Sequence, residues 1–139
     1  MSSRVVDVAL FAEDFGGAPV LVGSRCTDDG TVVFPAQESC PRCCGRRVRR
    51  EPLPQRGTLW SWTVQHFRPR APFRQDTAEF VPFAVGYVDL GDVIVEARLD
   101  ADPAALRIGL PMRACWLPAW NEADGDVATF AFSPAEDAP

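Results

Sequence analysis

The chain has 139 residues, 47% of them apolar and 24% charged, and a formal net charge of −5. This length suits one average domain or two very small ones and excludes a large enzyme, while the composition excludes a chain disordered throughout. The acidic balance argues against a surface built as a whole for nucleic acid.

Residues 1–19 mix apolar with acidic side chains and end in Gly16-Gly17-Ala18-Pro19, which predicts an N-terminal arm or one short helix closed by a turn. The apolar start from Val5 to Phe11 is broken by Asp7 and has no small-residue cleavage site behind it, and nothing approaches the roughly 18 apolar residues of a membrane span. A cytoplasmic protein is the expectation. Two short β-like runs follow, Val20 to Ser24 and Thr31 to Phe34, around a Cys-Thr-Asp-Asp-Gly turn. Then come Cys40-Pro41-Arg42-Cys43-Cys44-Gly45, an Arg-rich stretch and Pro52-Leu53-Pro54, whose composition reads as a linker. The expected module boundary falls there, giving a ribbon-like module over 20–53.

Beyond Pro54 the pattern has period two. In Thr58 to Val64 it places Trp60, Trp62 and Val64 on one face of a strand and Leu59, Ser61 and Thr63 on the other. Four more strands are predicted, over Phe80 to Leu90, Asp92 to Asp100, Pro111 to Leu117 and Asp126 to Phe132. A tight hairpin at Leu90-Gly91-Asp92 joins the second to the third, and one helical turn at Asp102 to Leu106 joins the third to the fourth. Five strands with a short helical piece after the third suit a five-stranded OB-fold barrel over 54–134, followed by a frayed acidic tail over 135–139.

Three cysteines carry the strongest chemical signal. Two Cys-x2-Cys knuckles on neighbouring turns aim four ligands at one point, the arrangement that structural zinc requires. Cys40 and Cys43 form one intact knuckle. The other has Cys26, but Asp29 stands where its second cysteine would fall. A carboxylate oxygen binds zinc too, so the expected metal ligands are Cys26, Asp29, Cys40 and Cys43, with Cys44 an alternative to Asp29. Five cysteines, two of them adjacent, fit metal binding or free thiols in a reducing compartment better than a secreted disulfide framework.

The other signals bear on binding. All 14 basic residues are Arg, and six of them, from Arg42 to Arg56, fall within fifteen positions, a field able to meet phosphate or an acidic partner, or else a solvated face. Arg68, Arg70 and Arg74 lie on a Pro-stiffened loop between the first two barrel strands, where OB folds often contact ligands. Trp116 and Trp120, with Phe130 and Phe132, are candidate interface anchors, the alternative being that they fill the barrel. His66, the single histidine, and Cys115, in an apolar strand, read as structural residues, and no nucleophile–base pair or phosphate loop is present. Catalysis by this chain alone is not expected.

These segments together resemble a family. Gly23-Ser24-Arg25-Cys26, Phe34-Pro35, Cys40-Pro41-Arg42-Cys43, Arg56 to Thr63, Pro82 to Leu90 and Ile108 to Met112 occur in the order found in the zinc-ribbon plus OB-fold proteins that accompany thiolase-like acyl-CoA enzymes. The resemblance runs from about Leu21 to Phe132. It implies a mainly β protein, an N-terminal rubredoxin-like zinc ribbon followed by the OB fold. It also implies a non-catalytic subunit that binds a thiolase, an aldolase of the sterol side-chain type or a ketosynthase-like acyltransferase. Such a subunit supports partner stability and acyl-CoA binding in lipid or polyketide metabolism. Against that family, Asp29 replaces a cysteine and Cys44 replaces the glycine usual after the last cysteine of its knuckle. The alternative is a nucleic-acid binder, since ribbons and OB folds both serve that role, but the acidic balance opposes it.

Overall fold

The computed structural model describes residues 4–5, 7–12, 17–70, 75, 79–122 and 125–135. Among these residues nine strands form two sheets. The first three barrel strands are β5 (Arg56–Gln65), β6 (Phe83–Asp89) and β7 (Ile94–Leu99), and the last two are β8 (Pro111–Glu122) and β9 (Gly125–Pro134). They hydrogen-bond in the order β8-β5-β6-β7-β9, and an antiparallel β8–β9 pairing closes the ring. All neighbours are antiparallel except β7 and β9, which run parallel at Arg98↔Ala131 and Leu99↔Phe132. That order, with a 3-10 turn at Pro103–Ala105 between the third and fourth strands, is the five-stranded OB fold expected.

Inward-facing positions on every barrel strand fill the interior: Leu59, Val88, Val95, Leu99, Met112 and Phe132 are each at most 4% exposed. Gly86 sits where β6 crosses β5 closely, and a Cβ there would fall 2.5 Å from the Ser61 carbonyl oxygen. The β6–β7 hairpin turns at Gly91 with φ 106°, a conformation that favours glycine. Between Leu59 and Ser61 the β5–β6 register shifts, which corrects the expected alternation. The extra residue of this bulge lets Leu59 and Trp62 both pack on the core, and leaves Trp60 outside, 55% exposed. β8 runs past its expected end for a similar reason. A register shift between Pro118 and Trp120 accommodates the proline and the ladder continues to Glu122.

The second sheet has the order β3-β2-β4, from β2 (Val22–Cys26), β3 (Val32–Val33) and β4 (Val48–Pro52). β4 is a correction, because its composition reads as linker. Arg49 and Arg50 point to solvent, Val48 and Glu51 are half-buried, and Pro52 falls at the strand's end, so the charges suit an edge strand. Arg25 on β2 donates from Nε and Nη2 to both carboxylate oxygens of Glu51, holding that carboxyl below its ordinary range, and its Nη2 reaches Asp92 of the barrel hairpin at 2.8 Å. Leu21, Val32 and Leu53 belong to the same buried cluster as the barrel interior.

The described part of the N-terminal segment includes one short 3-10 helix and a two-residue strand docked on the barrel. β1 (Arg4–Val5) pairs parallel with β9, and a 3-10 turn at Val8–Leu10 is capped by the Asp7 side chain. Phe11 then lies 5.0 Å from the Trp116 ring and 6.1 Å from that of Phe130. Among the described residues no helix is long and apolar enough to cross a membrane. The interior predicts a steep contrast between two substitutions. Phe132→Ala should cost about 3–5 kcal/mol in urea unfolding, whereas Ile108→Ala, at a 65% exposed position, should stay within about 0.5 kcal/mol.

Candidate metal centre

Two turns of one design bring four ligand atoms together. In the first, the Gly30 N–H donates to the Cys26 carbonyl and the Cys26 N–H to the Thr31 carbonyl; in the second, Cys44 donates to Cys40 and Cys40 to Gly45, all at 2.8–2.9 Å. The third residue after each leading cysteine, Asp29 or Cys43, is held alike. Thr31 N–H donates to Asp29 Oδ1 at 3.0 Å, and Gly45 N–H to Cys43 Sγ at 3.4 Å. The fourth residue is left-handed in both turns, Gly30 at φ 80° and Cys44 at φ 65°. The missing cysteine therefore leaves the first turn's backbone intact and changes only the donor atom.

Cys26 and Cys40 are buried, Asp29 and Cys43 exposed, and the four ligand atoms lie within 4.8 Å of one another. A tetrahedral ion held at about 2.3 Å by sulfur and about 2.1 Å by a carboxylate oxygen separates its donors by about 3.8 Å for sulfur pairs and about 3.6 Å for sulfur and oxygen. The Sγ atoms of Cys26 and Cys43 stand 3.7 Å apart, and Cys40 Sγ lies 3.6 and 3.7 Å from the two Asp29 oxygens. The donor set fits a metal ion. The Thr31 N–H, followed by the Cys26 thiol, holds the Asp29 carboxyl down at about 2, ready to ligate. The backbone N–H groups of Cys43 and Arg42 pull the Cys40 thiol down. At Cys43 the Gly45 N–H acts the same way but is outweighed by Cys26 and desolvation, which push that thiol up to about 11. Cys44 contributes no ligand to the cluster.

The remaining candidates scatter. Arg68 and Arg70 are exposed, with the Arg68 guanidinium 5.8 Å over the Phe80 ring, and Arg74 lies outside the described residues. Trp116 is half-buried and its indole N–H donates to the Gly17 carbonyl at 2.9 Å, so it engages the chain's own N-terminal segment. Of Trp120 only the backbone is described, opposite Val127 in the β8–β9 ladder. His66, with Asp100 and Asp102, lines a cleft of about 570 Å³ that shares no residue with the cysteine cluster. Burial pushes the half-buried Cys115 thiol up, away from a reactive thiolate. The sequence reading missed the exposed Trp60–Tyr87 pair on the barrel's outer face, whose rings meet edge to face at 6.2 Å. The bulge that turns Trp60 outward leaves no mark in the periodicity.

Two knuckles beside a closed five-stranded barrel define an OB-fold protein with a ribbon-like cluster of three cysteines and an aspartate that could hold a metal ion. Comparison with known proteins narrows this class. Residues 50–117 match the family described as ChsH2, C-terminal OB-fold domain. The benzoylsuccinyl-CoA thiolase subunit BbsA of Thauera aromatica is 32% identical over 108 residues, 73% of this chain and 70% of that one. A DUF35 domain-containing scaffold protein of Methanocaldococcus jannaschii is 29% identical over 121 residues, covering 84% and 82%. Among solved structures, a chain of the Ltp2-ChsH2(DUF35) aldolase superposes with a TM-score of 0.60 at 25% identity, covering 84% of this chain and 86% of that one. The chain belongs to this DUF35 family of OB-fold proteins.

The cluster makes a direct prediction. Protein purified without chelator should carry one equivalent of metal by elemental analysis, and Cys26→Ser or Asp29→Asn should lower that content sharply. Cys44→Gly should keep the metal and raise stability by about 0.5–1 kcal/mol, because it relieves a left-handed non-glycine residue. Loss of metal in Cys44→Gly with retention in Asp29→Asn would reassign the fourth ligand.

Proposed function

We propose that this chain is a non-catalytic subunit of an acyl-CoA-processing complex, in which it binds a thiolase-superfamily enzyme, stabilises it and supports its acyl-CoA site. The observation that carries this reading is the 32% identity to the benzoylsuccinyl-CoA thiolase subunit over most of both chains. The likeness to a chain of an aldolase complex adds to it. The chain's own chemistry agrees, since Cys115 is held as a thiol and His66 lies in a cleft apart from every cysteine of the metal cluster. On this reading residues 20–53 form the ribbon module and residues 54–134 the OB module that makes the main contact with the enzyme. Arg68, Arg70 and Arg74 then meet acidic groups of the enzyme or of the CoA thioester, while Trp116, whose indole is held by the Gly17 carbonyl, serves the chain's own packing rather than that contact.

The ion proposed for Cys26, Asp29, Cys40 and Cys43 is zinc. Thiolate donors favour it over calcium or magnesium, which take oxygen ligands. Its role is structural, fixing the two knuckles that β2, β3 and β4 frame, and the site requires no open coordination position.

Because the N-terminal segment and the three-stranded sheet share the barrel's core, the full chain is the proper reagent. Co-expressed with the thiolase-superfamily enzymes of its own cell one at a time, it should co-purify with one of them in fixed stoichiometry. The complex should bind acyl-CoA more tightly than that enzyme alone, and the isolated chain should give only background rates of thiolysis, hydrolysis and retro-aldol cleavage. Arg68→Glu with Arg70→Glu should weaken assembly or acyl-CoA affinity. Turnover by the isolated chain that disappears in His66→Ala or Cys115→Ala would overturn the assignment.

A further inference from the structure

Seven large apolar side chains stand exposed among the described residues, and five of them lie on or at the ends of β5, β6 and β7: Trp60, Phe67, Val81, Tyr87 and Ile94. The other side of the barrel is covered by the chain itself. β1 pairs with β9, and Phe11 packs on Trp116 of β8 and Phe130 of β9. Among the described residues, Trp60, Tyr87 and Ile94 on the outer face of the first three barrel strands stay exposed. The composition of this face, Trp, Tyr, Phe and Ile with Arg98 stacked 4.0 Å over Phe83, is that of an interface centre rather than of ordinary surface.

Two charged side chains lie in this patch, Arg98, engaged with the Phe83 ring, and Glu96. Glu96 on β7 is directly across the ladder from Tyr87, and Tyr87 is across from Ser61, so the three form one rung. A groove of about 220 Å³ opens along this rung, walled by Trp62, Thr63, Val85, Tyr87 and Glu96. Glu96 is its sole charged lining residue, is exposed, and makes no ion pair among the described residues. Any protein that covers Trp60, Tyr87 and Ile94 must take the Glu96 carboxylate out of water. A carboxylate without a counter-charge is costly to bury, so the covering surface must bring a cation. An arginine or lysine side chain suits the groove in every part, with an apolar stem to lie along Val85 and the aromatic residues and a cationic head for Glu96 and the Tyr87 ring.

We infer that the outer face of β5, β6 and β7 is the docking face for the thiolase-like enzyme, and that the groove at Glu96 receives an arginine or lysine side chain of that enzyme. The inference rests on the partnership proposed above and adds the face, the socket and the chemistry of the residue that fills it. A nucleic acid fits less well, because Glu96, with Asp89 and Asp92 at the neighbouring hairpin, would face its phosphates.

The test uses the full chain and the enzyme with which it co-purifies, with affinity measured by calorimetry. Glu96→Gln changes no volume and should weaken binding by about 30-fold or more, since it strands the partner's buried cation. Tyr87→Ala should weaken it by about 30-fold as well, as truncation of an aromatic anchor does. Glu96→Arg should abolish binding, and reversing the facing basic residue of the enzyme to Glu should restore it. Ile108→Ala, exposed elsewhere, should bind as the unaltered chain does. The Glu96 and Ile108 variants, at exposed positions, should keep the parent's thermal midpoint, and Tyr87→Ala, which loses its edge-to-face contact with Trp60, should lower it only slightly. If the unaltered chain binds the enzyme and the Glu96 and Tyr87 variants bind equally well, the docking face is wrong while the partnership stands. If the unaltered chain binds no thiolase-superfamily enzyme, the partnership fails and the socket fails with it. Loss in these variants of self-association by sedimentation, or of binding to a labelled single-stranded oligonucleotide, with enzyme binding unchanged, would give the face to another occupant and overturn the inference.

Discussion

The structure depends on one apolar core shared between two sheets. The three-stranded sheet is too small to bury a core of its own, and it solves this by sending Leu21, Val32 and Leu53 into the cluster that Leu59, Met112 and Phe132 fill from the barrel. A small module without its own core needs a metal, a disulfide or a larger neighbour. Here the neighbour and the four-ligand cluster act at opposite ends of the same strand, because β2 starts at Val22 beside the core and ends at Cys26 in the cluster. Polar contacts fix the orientation that packing alone would leave loose. Leu53 donates to the Leu21 carbonyl, Arg25 bridges Glu51 and Asp92, and Trp116 holds the Gly17 carbonyl.

This arrangement assigns different tasks to the chain's surfaces. The β8 and β9 side of the barrel is occupied by the N-terminal segment, the far end of the ribbon sheet carries the knuckles, and the β5 to β7 side is left for an enzyme. Much of the Arg field is engaged locally. Arg47 meets Asp28, Arg49 meets Glu51, and Arg50 donates to the Ala9 carbonyl. These contacts favour the solvated-face reading of that stretch over a dedicated phosphate site.

Much of the fold was legible because barrel strands announce themselves by alternation and by the turns between them. Gly91 and the Asp102-Pro103 pair mark their turns by backbone chemistry that sequence reveals directly. The misses have physical causes. β4 is an edge strand whose stability comes from pairing with β2 and from Arg25, so its own composition, rich in Arg and Pro, carries no strand signal. The bulge at Leu59/Ser61 shifts which tryptophan faces the core, and a bulge is set by the closing geometry of the barrel rather than by the residues in it. The N-terminal strand exists because β9 offers it an edge. The convergence of Cys26, Asp29, Cys40 and Cys43, by contrast, was readable from spacing, since each knuckle is a local turn. Even its departures make sense locally: Asp29 can be held as Cys43 is held, and Cys44 occupies the left-handed position that a glycine takes in the first turn. The outer-face socket was not readable, because Ser61, Tyr87 and Glu96 become neighbours only through strand register.

The central claim is that ribbon sheet and barrel form one cooperative unit, which is what lets a chain of this size present a rigid face to an enzyme. Native-state hydrogen exchange of the metal-loaded protein at rising denaturant tests it most directly. The amides of Ser24, Cys26 and Leu53 in and beside the three-stranded sheet should merge with those of Leu59 and Val88 in the barrel into a single global opening. Exchange of the Ser24, Cys26 and Leu53 amides through a separate opening several kcal/mol below the barrel's, with the barrel still protected, would contradict it.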